Sequence, residues 1–242
     1  MGIKGISFTL FFLCTQSLLA QTNFSETALS RTLRQASSLP EKIEFKEVIA
    51  ATTGHRVLSF DTNNPIHAEL KSKLLLAAKL AGKRAAERGI STARANEAGN
   101  QLEGLVRVAL KEVGLHAEVP TNTLGIAQSA GYPDVAIHAP VPCYLELKTF
   151  SSTTEHTTQR TFYYSPSARP KVTRDAVHLL LAFELRRETR DDKTVFAPVR
   201  WKLISLERLL VELKLEFNQN NRGLYGPDGT AVLSEGEVSE GD

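Results

Sequence analysis

The chain has 242 residues, of which 42% are hydrophobic and 23% are charged. This composition is typical of one well-buried domain with at most an extra lobe, and it excludes a disordered chain and a protein that spans membranes throughout. A formal net charge of +2 does not mark a nucleic-acid-binding protein, so such a function would have to rest on local clusters. The two cysteines, Cys14 and Cys143, provide neither a disulfide framework nor a zinc pattern.

Residues 1–20 have the layout of a signal peptide. A positive head with Lys4 precedes an apolar stretch, and the small residue Ala20 stands where cleavage would fall. Leu18 fits the small-residue pattern before such a cut poorly, so a hydrophobic extension or a misassigned start codon stays open as the alternative. The stretch is too short for a membrane span, and we expect no stable membrane insertion after processing.

Residues 21–93 are expected to form an N-terminal helical region. A short helical pattern covers residues 27–36, and a long helix is predicted to begin at the N-cap Asn64, with Pro65 in its first turn, and to stop at Gly89. The long helix carries basic residues with little acid beside them, namely Lys71, Lys73, Lys79, Lys83, Arg84 and Arg88. These form either a surface that follows phosphates or an ordinary solvated face.

Residues 94–220 are expected to form the core of the protein. The pattern predicts a helix over residues 97–113 and strands over residues 115–119, 134–137, 143–150 and 176–183. Val199, Trp201 and Leu203 alternate with polar residues as in a half-buried strand, and Ser205 is predicted to cap a helix that runs to Phe217. Residues 221–242 are turn-rich and end in an acidic tail. This order of elements predicts one α/β domain with a mixed sheet.

Three polar residues are expected to meet on the strand pair in the middle of this core. Side chains alternate along a strand, so Glu146 and Lys148 share one face of the strand over residues 143–150. A turn that contains Pro140 and Pro142 would fold the two strands into a hairpin, which brings Asp134 close to Glu146. Two neighbouring carboxylates repel each other unless a cation lies between them, and oxygen ligands suit Mg²⁺. The pattern therefore predicts a metal site for phosphodiester hydrolysis, with Lys148 beside the attacking water.

The tripeptide Glu-Leu-Lys alone is a weak signal, because the chain contains a second copy at residues 212–214. That copy falls on the predicted terminal helix, where residues two apart point in different directions. A second Pro-Asp pair, at residues 227–228, lies in a glycine-rich turn. The alternative for the first copy is a surface hairpin with an incidental Glu–Lys pair.

Pro133-Asp134 followed by Glu146-Leu147-Lys148 resembles the motif of the PD-(D/E)xK nuclease superfamily, the restriction-endonuclease-like nucleases. The resemblance implies a restriction-endonuclease-like mixed β-sheet core flanked by helices, here with an N-terminal helical extension. It implies Mg²⁺ as cofactor, with Mn²⁺ able to substitute. The helix before the motif often adds an acid in this superfamily, and Glu103 is the stronger match and Glu97 the weaker; either is otherwise a solvated helical glutamate.

The segment after Lys148 departs from the superfamily pattern. The superfamily places a helix after the Glu-x-Lys strand, whereas residues 151–173 form a Ser/Thr-rich stretch with two prolines that predicts a loop. Gln159, Arg160 and Lys171 in this stretch are predicted to contact the DNA backbone. Three aromatic residues could stack on bases but are more typical of a core, namely Phe162, Tyr163 and Tyr164. His138 and His178 are interpreted as structural, since neither has a visible partner.

The sequence therefore predicts a Mg²⁺-dependent DNA endonuclease, most like a type II restriction enzyme. Such an enzyme would act as a homodimer, because one site per chain must cut two strands, and would require a cognate methyltransferase. The alternatives are a repair or junction-resolving nuclease, an exported scavenging nuclease, and a non-catalytic binding domain that keeps the fold. The compartment stays open, because residues 1–20 indicate export whereas a restriction enzyme works in the cytoplasm.

Overall fold

The computed structural model describes residues 28–92, 95–226, 232–234 and 236, without the side chains of residues 95 and 96. The predicted signal peptide and the second Pro-Asp pair lie outside these residues. The chain divides into two compact units, of which Lys42–Val211 is the larger and holds the whole sheet. Within the described residues, no helix is long and apolar enough to cross a membrane.

The described elements are five helices and nine strands, of which α3, α4, β7 and β8 are the longest. The helices are α1 (residues 28–37), α2 (Phe45–Thr53), α3 (Pro65–Arg88), α4 (Ala95–Glu112) and α5 (Asn221–Tyr225). The strands are β1 (Ile43–Glu44), β2 (Val57–Leu58), β3 (Ile90–Ser91), β4 (Ala117–Glu118), β5 (Val135–Ile137), β6 (Cys143–Phe150), β7 (Ala176–Arg190), β8 (Lys193–Ser205) and β9 (Leu210–Val211). Both long predicted helices and every predicted strand are present, so the α/β class is confirmed.

Helix α3 begins and ends where its sequence predicts. The Asn64 side chain accepts a hydrogen bond from the backbone N–H of Ile66 at 3.0 Å, Pro65 occupies the first turn, and Gly89 follows the last residue at φ 69°. Its buried face consists of Leu70, Leu74, Ala77, Ala78, Ala81 and Ala85. Three of its cations have acidic partners, in the pairs Lys73–Glu69, Lys83–Glu87 and Arg84–Glu112. These pairs remove much of the excess charge that the sequence indicates on this helix.

The main sheet is mixed, with strand order β3-β8-β7-β6-β5-β4 and β2 paired to β7. β7 lies parallel to β6 and antiparallel to β8. Its first residues are buried on both faces, which confirms the predicted central strand. β7 extends to Arg190, beyond the predicted end at residue 183, because it forms a hairpin with β8. Asp191 and Asp192 close that hairpin with φ of 48° and 60°, the conformation of a two-residue primed turn.

The two faces of the sheet are covered by different parts of the chain. α3 and α4 cover one face, where Leu145 of β6 and Phe183 of β7 lie in the larger hydrophobic cluster. On the other face, Phe45 of α2 packs in a second cluster with Tyr144 and Ala182. Odd and even positions of β6 therefore face opposite layers, as the strand periodicity predicts.

Residues 151–175, which we call the crossover, connect the parallel strands β6 and β7 without a helix. This confirms the predicted loop. Phe162 and Tyr164 attach the crossover to the sheet face, because their rings lie 5.1 and 5.6 Å from that of Phe45 in edge-to-face contact. Tyr163 between them is 66% exposed. Two of the three aromatic residues are thus part of the core.

The helix predicted from Ser205 to Phe217 is wrong. Leu206 is buried, and the chain then forms β9, which pairs antiparallel with β1 near the start of the larger unit. The carbonyl of Leu209 accepts a hydrogen bond from Phe45 at 2.7 Å, so the backbone groups that a helix would use are bonded elsewhere. Phe217 is 81% exposed in irregular chain. The second Glu-Leu-Lys copy consequently lies in coil and not on a helix.

Val199 is not one of the inward-facing residues that the alternation in β8 predicts. The register between β7 and β8 pairs Leu185 with Pro198 and Glu184 with Arg200, which leaves Val199 without a partner. This irregularity is a β-bulge, and it turns Val199 outward to 45% exposure. Trp201 and Leu203 remain packed against the larger cluster.

Replacement of Phe183 tests whether β7 is the centre of the core. Phe183 is 1% exposed, and a side chain added at Gly82 of α3 would meet its ring at 3.4 Å. We expect Phe183→Ala to lower the free energy of unfolding by about 3–5 kcal/mol in urea denaturation, because the cavity cannot close fully. Val199→Ala, in the bulge of the adjacent strand, should stay within about 0.5 kcal/mol of wild type. Equal effects of the two substitutions would contradict the packing described.

Candidate active site

The β5–β6 hairpin brings Asp134 and Glu146 to the same place. Val135 pairs with Leu145, so Asp134, one residue before β5, lies opposite Glu146. The backbone N–H of Leu147 donates to Asp134 Oδ2 at 2.7 Å, which fixes the carboxylate across the strand pair. The local sequence thus forms the hairpin that the motif predicts.

Glu146 is the most deeply buried member of the site. It is 3% exposed, and its Oε1 accepts a hydrogen bond from Lys148 Nζ at 2.5 Å. Its Oε2 is buried and has no hydrogen-bond partner in the described part of the chain. Burial, and then the charge of Asp134, raise the pKa of Glu146 from its usual 4.5 to about 7, against the opposing effect of Lys148.

The pKa of Asp134 is also subject to opposing effects. Burial raises the pKa of its carboxyl group, while the Leu147 N–H and the charges of Lys148 and Lys171 act in the opposite direction. In the protein without metal, the two carboxylates therefore share a site in which their negative charge is only partly compensated. Such a site favours a proton or a cation between them.

The donor set fits Mg²⁺. Both acidic side chains offer oxygen atoms, and Glu146 Oε2 is a buried acceptor that a cation would satisfy. Across the described residues, no three His, Cys, Asp or Glu side chains are already arranged around one point. Mg²⁺ is commonly bound through one or two carboxylates and takes waters and substrate phosphate as its other ligands.

Glu103 faces the same cleft from helix α4. The cleft has a volume of about 330 Å³, and its lining includes Glu103, Asp134, Lys148 and Thr161. Burial raises the pKa of Glu103, whereas its ion pair with Arg107 one turn later lowers it. Glu103 is therefore a third acid at the cleft, held by Arg107. Glu97, the weaker match, lies in the first turn of α4 beside Thr92 and does not line the cleft.

Lys171 is not on the surface, where a DNA contact would be expected. It is 4% exposed, and its ammonium group donates to four backbone carbonyls of the loop that leads into Asp134. The acceptors are Gln128 at 3.2 Å, Ser129 at 3.4 Å, Pro133 at 2.5 Å and Gly131. Burial lowers the pKa of Lys171, and the nearby charge of Asp134 opposes this. Lys171 therefore lies inside the protein, behind Asp134 and Glu146, and not on the surface where it was predicted to contact DNA.

Gln159 and Arg160 remain exposed on the crossover, next to Thr161 of the cleft lining. The two histidines that lack a partner in the sequence pattern both have one in the structure. His138 Nε2 lies 2.7 Å from Glu118 Oε1, and His178 Nδ1 lies 2.7 Å from the Tyr132 hydroxyl. Burial lowers the pKa of His178 to about 3, so its imidazole is neutral at pH 7.

Several charged residues near the site are not identified by sequence reasoning. Arg107 holds Glu103, and Glu155 of the crossover is paired with Arg200 and Lys202 of β8. The alternation of β8 places Arg200 and Lys202 on one face, which is the only sequence signal for this pair. Nothing in the loop sequence indicates that Glu155 contacts them, because that contact depends on how the crossover folds back.

Substitution of Lys171 tests its buried position. Lys171→Met leaves four carbonyls and two acidic side chains without its charge, so we expect the free energy of unfolding to fall by roughly 2–4 kcal/mol in urea denaturation. Arg169→Met, two residues away and exposed, should change it by less than about 0.5 kcal/mol. Unchanged stability of Lys171→Met with weaker DNA binding would instead indicate a surface contact.

The raised pKa of Glu146 predicts a pH dependence of stability in the protein without metal. Between pH 4.5 and about 7 the folded state holds this proton more tightly than the unfolded state, so its contribution is full below pH 4.5 and is lost as the pH rises through 7. The free energy of unfolding from urea denaturation in chelator should therefore fall toward pH 8, by up to about 3 kcal/mol from this residue.

Glu146→Gln should remove this part of the slope. Mg²⁺ should stabilise the wild-type protein more at pH 8 than at pH 6, since it competes with the proton. The same slope in wild type and Glu146→Gln would contradict the assignment of the pKa.

Comparisons with known proteins identify the family of this chain. The family model described as the type II restriction enzyme MjaV family matches residues 39–228, which include the sheet, the crossover and the acidic pair. The chain is similar to the type II restriction enzyme MjaV of Methanocaldococcus jannaschii, with 32% identity over 213 residues that cover 81% of this chain and 90% of that protein. No solved structure matches the chain. On both the family match and the identity, the chain belongs to the MjaV family of type II restriction enzymes.

Proposed function

We propose that this protein is a Mg²⁺-dependent DNA endonuclease that cuts at a specific sequence and has the active-site arrangement of the PD-(D/E)xK superfamily. One observation carries the proposal: the β5–β6 hairpin brings Glu146 together with Asp134 and Lys148 of the cleft lining, and one buried carboxylate oxygen of Glu146 lacks a partner within the described residues. Membership of a restriction enzyme family supports DNA as the substrate.

Asp134 and Glu146 would hold the metal ion. Bound Mg²⁺ supplies Lewis-acid polarisation of the scissile phosphate and neutralises the charge that develops on it. Mn²⁺ accepts the same oxygen ligands and would substitute. Leu147 donates to Asp134 Oδ2 and Lys148 donates to Glu146 Oε1, so the other oxygen of each carboxylate remains for the metal.

Lys148 would position the attacking water. Its Nζ donates to Glu146 Oε1, and its side chain, 29% exposed, reaches the cleft where the phosphate would lie. An ammonium group at this point orients a water by hydrogen bonding and stabilises negative charge on the phosphorus centre. Glu103 would assist from α4 by adding negative charge near the metal, with Arg107 fixing its direction.

Gln159 and Arg160, which are exposed on the crossover beside Thr161 of the cleft lining, would contact the DNA backbone. One such site cuts one strand, so a homodimer with two sites would cut a duplex. A cognate methyltransferase would protect the host DNA, and this partnership favours the cytoplasm. Lys171 has no part in these contacts, because it is buried.

Plasmid cleavage by the whole protein tests the proposal. We expect wild type to give discrete fragments in Mg²⁺ and none in chelator. Asp134→Ala and Lys148→Ala should each lower the cleavage rate by at least about 100-fold, because each removes a group that acts on the charge of the transition state. Glu212→Ala and Lys214→Ala change the second Glu-Leu-Lys copy, in coil, and should cleave as wild type does.

Three outcomes would contradict the proposal in different ways. Cleavage that persists in chelator excludes the metal, and full activity of Asp134→Ala excludes this site. Unspecific degradation in place of discrete fragments would exclude the restriction class and favour a scavenging or repair nuclease. Absence of cleavage on many plasmids by a correctly folded protein would favour a non-catalytic domain.

A further inference from the structure

Glu155 of the crossover lies between two cations of strand β8. Its Oε2 is 2.5 Å from Arg200 Nη2, and its Oε1 accepts from Lys202 Nζ. The Glu155 side chain is 13% exposed, whereas Arg200 and Lys202 are 51% and 41% exposed. The carboxylate is thus the inner member of the group, and the cations surround it at the rim.

Two further contacts hold the cations in place. Arg200 Nε donates to Glu184 Oε2 at 2.7 Å. The Arg200 guanidinium and the Lys202 ammonium lie 6.0 and 5.6 Å from the centre of the Phe150 ring, within the range of cation–π attraction. The two donor groups are therefore oriented toward one point by residues of the sheet itself, and Glu155 occupies that point from the crossover.

This pair of cations lies in line with the catalytic lysine. Lys148 of β6 is in register with Ala182 of β7, and Ala182 is in register with Lys202 of β8, so Lys148 and Lys202 project from the same face. Strands are spaced about 4.8 Å apart, which places the two backbone positions roughly 10 Å from each other. A DNA strand that presents one phosphate to Lys148 would carry another phosphate near this second pair.

The pair of cations, Arg200 and Lys202, can bind a phosphate as well as a carboxylate. Arginine and lysine bind two oxygens of either anion through charge-assisted hydrogen bonds. With Glu155 and Glu184 in place, two acids balance two cations; without Glu155 one positive charge remains. The site is neutral in the free protein and becomes attractive to an anion when Glu155 moves away.

We propose that Arg200 and Lys202 form a binding site for a backbone phosphate next to the cleaved one, and that Glu155 occupies this site until DNA displaces it. The inference rests on the proposed function, since it assigns one more contact to the same substrate. The ligand is a phosphodiester of duplex DNA. Displacement of Glu155 would also release the first part of the crossover, which leads to Gln159 and Arg160.

The experiment is binding of a labelled linear DNA duplex of one fixed sequence to the full-length protein in chelator, measured at several salt concentrations. We expect Glu155→Gln to bind about 3- to 10-fold more tightly than wild type at low salt, because the competing anion is gone. Arg200→Gln and Lys202→Gln should bind more weakly, and each should lower the slope of affinity against salt by about one unit.

Glu188→Gln is the matched control. Glu188 of β7 is likewise held between two arginines, Arg186 and Arg190, with both distances 2.8 Å, but it lies farther along the β7–β8 hairpin from Lys148. We expect its DNA binding to equal that of wild type. An equal gain in both glutamine variants would mean general charge attraction and would overturn the assignment to this site.

Other results would overturn the proposal independently of the cleavage assay. If Glu155 only holds the crossover in place, Glu155→Gln should bind DNA as wild type does or more weakly and should have a lower melting temperature. If Glu155→Gln does not fold, unchanged salt slopes of Arg200→Gln and Lys202→Gln would still refute the phosphate site. Binding is measured without metal and is therefore independent of cleavage. If these results are found and wild type cuts plasmid, only this inference is refuted. If binding is as expected and wild type never cuts, only the proposed function is refuted.

Discussion

The site depends on the burial of two carboxylates side by side at the β5–β6 hairpin. Asp134 and Glu146 repel each other in a place with little water, and the surrounding groups offset that repulsion only in part: the Leu147 N–H, Lys148 on the open side and Lys171 behind. Glu146 keeps a buried oxygen without a partner in the described chain. A protein that only binds DNA has no need for this costly arrangement, whereas a cation satisfies all of it at once.

The fold supplies what this pair requires. β7, buried on both faces, gives β6 a rigid neighbour, and α4 places Glu103 over the end of the hairpin. The crossover then passes over the opposite sheet face and delivers Lys171 to the loop before Asp134. The crossover is irregular chain, and the aromatic contacts of Phe162 and Tyr164 with Phe45 pack it against the sheet.

The elements that could be predicted correctly are those whose determinants lie close together in the chain. Helix α3 was predictable from Asn64, Pro65 and Gly89, because its caps lie within the helix's own neighbourhood, and the hairpin was predictable from strand periodicity and a proline turn. The segment after Ser205 has the periodicity of a helix, but part of it pairs with β1, which is distant in sequence. Lys171 was predicted to contact DNA, and the contacts of Glu155 were not predicted, for the same reason. Their partners are set by the path of the crossover, which no local pattern records.

The crossover is held by polar contacts near both of its ends. Near its start Glu155 is bonded to β8, and near its end Lys171 holds the loop that carries Asp134. The residues between these ties, including Gln159 and Arg160, form no helix whose length or phase must be kept. Substitutions, insertions or deletions in this stretch would therefore leave the sheet and the two ties on either side of it unchanged.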